Sequence, residues 1–147
     1  MILEKSNYKK IEKHLYSYFD DAEQLEIKQE DIILGCKTRH LGDETGGSMS
    51  NSNISKVEQS ALQLAELKES EQYKWVKTIE GVVEEFKGTE YEKLIDLTYN
   101  KQYQLPKIFR LLNIERTGYY DRKTDVIMQI ALKAASKGLI DNKVKKG

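Results

Sequence analysis

Within nine residues near the end of the chain, Arg116, Thr117, Tyr120, Asp121, Lys123 and Thr124 bring together cationic, hydroxyl and carboxylate groups, and Lys107 and Arg110 stand shortly before them. Cationic side chains hold phosphate oxygens, while hydroxyl, guanidinium and carboxylate groups can hydrogen-bond to the edges of bases. Chemistry that makes or breaks bonds has no comparable candidate. The histidines, His14 and His40, are far apart, Cys36 is the only cysteine, and no nucleophile, base and orienting group recur at a useful spacing. Asp20-Asp21 and Glu84-Glu85 are neighbours on helical stretches, so their carboxylates diverge by about 100° and do not converge on a metal. The reading is therefore of a binding protein without catalytic residues, metal or cofactor.

The charge supports a localised polyanion contact. The chain is formally neutral, but residues 1–100 carry 13 basic and 20 acidic side chains, a net −7, whereas residues 101–147 carry 11 and 4, a net +7. Such a division points to a nucleic acid met by the basic end, with the acidic part repelled from it or reserved for protein contacts. The opening MILEKSNYKK is not a signal peptide and no apolar run is long enough to span a bilayer, so a cytoplasmic protein without a membrane partner is expected.

The elements that must position these residues are all helical. One proline in 147 residues leaves little to interrupt helix. Residues 1–34 form an N-terminal helix with a heptad-like stripe of Tyr8, Leu15 and Ala22 beside Ile11, Tyr18, Leu25 and Ile32. Residues 35–54, rich in glycine and serine, read as a flexible connection, and their GDETGG lacks the ending of a phosphate-binding loop. The capping box Ser55-Lys56-Val57-Glu58 opens a long central helix over 55–88, apolar along Val57, Ala61, Leu64, Trp75, Ile79, Val82, Val83 and Phe86 and stopped by Gly88. Trp75 is expected to anchor a core or seam. The two stripes can meet as an antiparallel hairpin within one chain, or pair with a second copy in a coiled-coil homodimer.

Residues 89–147 form the last unit. A second capping box, Thr89-Glu90-Tyr91-Glu92, starts a short helix to about Tyr99. Leu105–Leu112 follows with Pro106 in its first turn, Asn113 supplies a tight turn, and a third helix runs from about Glu115 to Lys137, closed by Gly138. At 100° per residue Tyr119, Val126 and Ile130 share one inward face, while Thr117, Asp121 and Thr124 lie on the polar side, flanked by Arg116, Tyr120 and Lys123. This is the pattern of a helix-turn-helix whose second helix enters the major groove of double-stranded DNA. The fold class is thus all-α, with long N-terminal helices and a C-terminal helix-turn-helix domain.

The segment from Thr89 to Ala131 resembles the C-terminal part of phage and prophage late-transcription activators of the ArpU and RinA type, whose helix-turn-helix is similar to sigma-factor region 4. The matching residues are Tyr99-Asn100-Lys101, Ile108, Leu112, Ile114, Thr117, Tyr119-Tyr120, Lys123 and Ala131, and the order of elements extends the likeness over nearly the whole chain. The resemblance implies an activator of late genes that binds a promoter-proximal site and contacts host RNA polymerase. It places the recognition role on Arg116, Thr117, Tyr120, Asp121, Lys123 and Thr124, with Lys107 and Arg110 against the backbone. Glu115 stands where that family often has a serine or threonine cap, Phe109 where a small residue is common, and Asp121 where a basic residue is common. A small terminase subunit that packages DNA, and a helical adaptor working through its acidic arm, are the alternative readings.

Overall fold

A computed structural model describes residues 3–42 and 49–140, with side chains described for 3–35 and 56–140. The described residues form six α-helices and no strand: α1 (Lys5–Gly42), α2 (Met49–Glu69), α3 (Glu71–Glu85), α4 (Glu90–Ile95), α5 (Leu105–Leu112) and α6 (Arg116–Ser136). The chain is all-α. It divides into two compact units, one made of residues 1–20 and 75–147 and the other of residues 21–74.

The backbone differs from the expected layout in its middle. Where residues 35–54 read as a connection, α1 continues to Gly42 and α2 begins at Met49; residues 43–48 of that stretch lie outside the described residues. The box at Ser55 is therefore inside α2 and starts nothing. The expected single helix over 55–88 is two helices, broken at Ser70. The Ser70 hydroxyl donates to the Leu67 carbonyl at 2.6 Å and accepts from the Tyr73 amide at 3.2 Å, satisfying one of the exposed donors that begin α3. Glu71 in the first turn complements the helix dipole.

In the unit of residues 21–74, Leu25 is the one hydrophobic residue fully buried among those described, with Ile32, Leu64 and Leu67 half-buried. Gln72 donates to the Asp21 carboxylate at 3.1 Å. The apolar face drawn through Val57 and Ala61 is not buried: both are exposed. Ile27, Ile33, Leu34 and Leu62 are also exposed.

The larger core belongs to the other unit. The first part of α1 contributes Ile11, Leu15 and Tyr18, and α3 contributes Trp75, Val76, Ile79 and Val82. Trp75 is buried as expected and stacks on His14, with ring centroids 4.2 Å apart. Alternation at three and four residues buries Val126, Ile127, Ile130, Ala131 and Ala134 of α6. The helix ends in Gly138 at φ 74°, where the Leu139 amide reaches the Ala134 carbonyl and the Gly138 amide the Ala135 carbonyl. That left-handed stop satisfies two otherwise open carbonyls and turns Leu139 into the core.

Candidate nucleic-acid interface

The candidate residues are carried by α5 and α6, with α4 packed beside them. Thr89 precedes α4 in an extended conformation, as a cap should, but its hydroxyl donates back to the Phe86 carbonyl at 2.5 Å, so it caps no amide of α4. Nor does Glu92 complete the expected box: its carboxylate accepts from the Gly88 amide at 3.4 Å, while the Thr89 amide that it should reach donates to the Phe86 carbonyl. After α4 the backbone widens over Asp96–Asn100 into a π-helical turn, closed by the Lys101 amide on the Asp96 carbonyl, and Gln102 leaves it at φ 54°. Pro106 sits in the first turn of α5, where its missing amide costs nothing.

A three-residue turn joins α5 to α6. Asn113 adopts the left-handed conformation, φ 54° and ψ 49°, and this lets the Ile114 amide reach Phe109 and its own amide reach Arg110. Ile114 and Phe109 both pack on the small core of Leu94, Ile108 and Tyr119. Phe109, where a small residue was expected, meets Tyr119 edge to face at 5.3 Å and so becomes part of the packing that sets α5 against α6. Tyr119 is also fixed at its far end, its hydroxyl sharing a hydrogen bond of 3.0 Å with buried Thr98. Leu111 of α5 is exposed.

On this frame the candidate residues separate into two groups. Arg116, Thr117, Asp121 and Thr124 are exposed along one side of α6, and Lys107 and Arg110 are exposed on α5. Tyr120 stands at the edge of the group, its ring against Tyr119 and its face 5.6 Å from the Arg116 guanidinium. Lys107 lies 3.8 Å over the Tyr103 ring, a cation–π contact that holds its ammonium beside the turn. Glu115 caps α6 in an extended conformation, makes no side-chain capping bond, and gives its carbonyl to Tyr119.

Lys123 belongs to the second group. Its side chain is 11% exposed and pairs at 3.0 Å with Glu12 of α1, itself 22% exposed. Burial opposes its charge, yet the hydrogen bond and attraction of Glu12 outweigh that and hold its pKa above the ordinary lysine value. Its ammonium is thus turned inward to the α1 seam, away from the polar side that it was expected to flank.

Three contributions to the site carry no local signature. Glu12 is 111 positions from its partner. Tyr8 lies close enough to Lys123 to feel its charge, and Glu12 pairs with Lys123, so the first turns of α1 lie beside the first half of α6. Arg122 joins the opposite flank, donating to Glu90 of α4 at 2.8 Å and to the Gly118 carbonyl at 3.2 Å, while Tyr91 donates to Asp125 at 3.0 Å. Between α1 and the turn before α5 lies an open groove of about 590 Å³, bordered by Tyr16, Thr98, Tyr103 and Tyr120. Among the described residues no group of three or more His, Cys, Asp or Glu could hold a metal, and no helix is long and apolar enough to cross a membrane.

Comparison with protein-family models, with curated proteins and with solved structures finds no match for this chain.

Proposed function

We propose that this chain binds double-stranded DNA, with α5 and α6 acting as a helix-turn-helix and the first turns of α6 in the major groove. The observation that carries the reading is the exposed row of Arg116, Thr117, Asp121 and Thr124, presented on a helix whose other side is locked into a core and whose entry is fixed by Asn113. Base edges are read by side chains near the start of such a helix, and Lys107 and Arg110 are placed to hold the neighbouring phosphates. Together with the sequence resemblance, this supports reading the protein as a transcription activator of phage or mobile-element late genes, acting near a promoter and touching RNA polymerase.

Selection of a random duplex pool on the full-length protein, followed by salt titration, tests the reading. Arg116→Ala should cost about 1–3 kcal/mol at one base pair and relax preference there, and Arg110→Gln should weaken all duplexes alike and lower the salt slope by about one. Failure to retain any duplex at low salt would refute it.

A contact role for residues 21–74 rests on a separate observation. Among its described residues that unit leaves Leu34 55%, Val57 58% and Leu62 63% exposed, an apolar surface that a second copy of the same helices would cover. A homodimer through these helices, presenting two copies of α6 to spaced half-sites, is the reading we favour. Sedimentation at rising concentration tests it, and a monomer at all concentrations would exclude it.

A further inference from the structure

We infer that the first turns of α1 supply a second phosphate-binding strip, formed by Lys5, Lys9 and Lys13, beside the recognition face of α6. This rests on the DNA-binding reading above and extends it to a part of the chain that lies more than 100 positions away in sequence.

The three lysines recur at every fourth residue, so they fall within about 80° of arc and form one column along the helix. All three are exposed, and among the described residues no carboxylate pairs with them. Several other described cations do have carboxylate partners: Lys77 pairs with Glu80, Arg122 with Glu90, Lys123 with Glu12, and Lys133 with Glu85. Glu12, the acidic residue that helical spacing would offer to Lys9, is taken by Lys123. A column of like charges on adjacent turns repels itself. A polyanion laid along it removes that repulsion.

The position of the column follows from the seam between α1 and α6. Glu12 faces α6 through its ion pair with Lys123, and Tyr8, one turn earlier and within reach of the same Lys123 charge, lies on that side too, so the two mark the direction of the seam. Ile11 and Leu15 lie on the buried side of that direction, and Lys5, Lys9 and Lys13 lie successively further round on the solvent side, at about 40°, 80° and 120°. On α6, Tyr119, Val126 and Ile130 are the buried side of the same seam, and Thr124, Thr117 and Asp121 are its solvent side. The lysine column and the polar row therefore face the same way. Successive lysines are ~6 Å apart along the helix axis, about two steps of the 3.4 Å axial rise of a DNA strand, and their flexible stems can adjust to the phosphates.

The test is the salt dependence of duplex binding by the full-length wild type and by the K5Q/K9Q/K13Q variant. Each phosphate contact contributes about 0.9 to the slope of log Kobs against log salt, so the triple variant should lose ~2.7 of that slope and bind every duplex more weakly, with base preference unchanged. The K5R/K9R/K13R variant keeps the charges and should keep the slope. An unchanged slope in the glutamine variant, with duplex binding intact, overturns this inference and leaves the α6 reading standing; failure of the wild type to bind any duplex overturns both. Helical circular dichroism of each variant, expected to match the wild type, separates lost contacts from lost folding.

Discussion

Lys123 offers the sharpest separation between a surface phosphate contact and an internal brace. If the pair with Glu12 docks α1 onto α6, Lys123→Met should destabilise the protein and leave the salt dependence of DNA binding untouched. Exposed ion pairs contribute about 0.2–1 kcal/mol, whereas removing one partner of a fully buried pair costs about 3–5 kcal/mol because the other charge is stranded. With the lysine 11% and the glutamate 22% exposed, the expected loss lies between, at about 2 kcal/mol. That corresponds to a fall in melting temperature of roughly 4–8 °C for a chain of this size. The double variant Glu12→Gln with Lys123→Met should recover part of the loss, giving a coupling of about 1–2 kcal/mol in a double-mutant cycle followed by urea denaturation. The pH dependence has a fixed sign. Because the folded pKa of Lys123 is raised, its contribution is fully present below the unfolded lysine value of about 10.4 and is lost as pH rises through the folded pKa. Stability from this group should therefore be flat through neutrality and fall only in alkali. A Lys123→Met protein of wild-type stability whose salt slope has dropped by about one would refute the reasoning.

Two further outcomes follow from the same frame. Asn113 holds a left-handed conformation, so Asn113→Ala should lower stability by about 1 kcal/mol while Asn113→Gly is tolerated, as thermal unfolding would show; equal behaviour of the two variants would mean that the turn relaxes. Tyr8, Tyr18, Tyr99 and Tyr119 are held above the ordinary tyrosine value chiefly by burial, and Tyr91 chiefly by its hydrogen bond to Asp125. The folded state thus keeps these protons longer than the unfolded chain, and stability should decline as pH rises above about 10, with phenolate absorbance lagging in the native protein and catching up on unfolding.

Local signals in the sequence were enough for the last third of the fold. Pro106 in a first turn, Asn113 at a left-handed position, Gly138 as a stop and the Tyr119, Val126, Ile130 stripe each depend on residues within a few positions of one another, and the structure places all of them as read. The middle of the chain was less legible. A capping box marks a helix start only if the residues before it do not themselves continue as helix, and at Ser55 they do. The actual start, Ser70, lies in a run of polar residues where a serine that caps looks like a serine that is merely exposed. Lys123 is instructive in another way. Its position lies about 40° from the inward direction of Tyr119, on the side of Ile130, so helical geometry already turned it inward. Its charge suggested the surface, and only Glu12, far away in sequence, explains how a lysine can occupy that place.

The division of charge also changes meaning once the chain is folded. Along the sequence the excess of positive charge belongs to the last third, opposed by a remainder that is acidic as a whole. In the structure, residues 1–20 join residues 75–147, and this unit holds 18 basic and 13 acidic side chains, whereas residues 21–74 hold 6 and 11. The helical arm is therefore not acidic throughout: its first turns belong to the basic unit and bring Lys5, Lys9 and Lys13 to the flank of α6. Charge of one sign gathered on one face steers a polyanion to that face and raises the rate of encounter, while the acidic excess of residues 21–74 disfavours contact with the same polymer. The Glu12 to Lys123 pair matters here because it spends one cation of α6 to hold three of α1 in place. A helix-turn-helix reading drawn from the C-terminal residues alone omits that exchange, and with it the part of the chain that sets how strongly salt should govern binding.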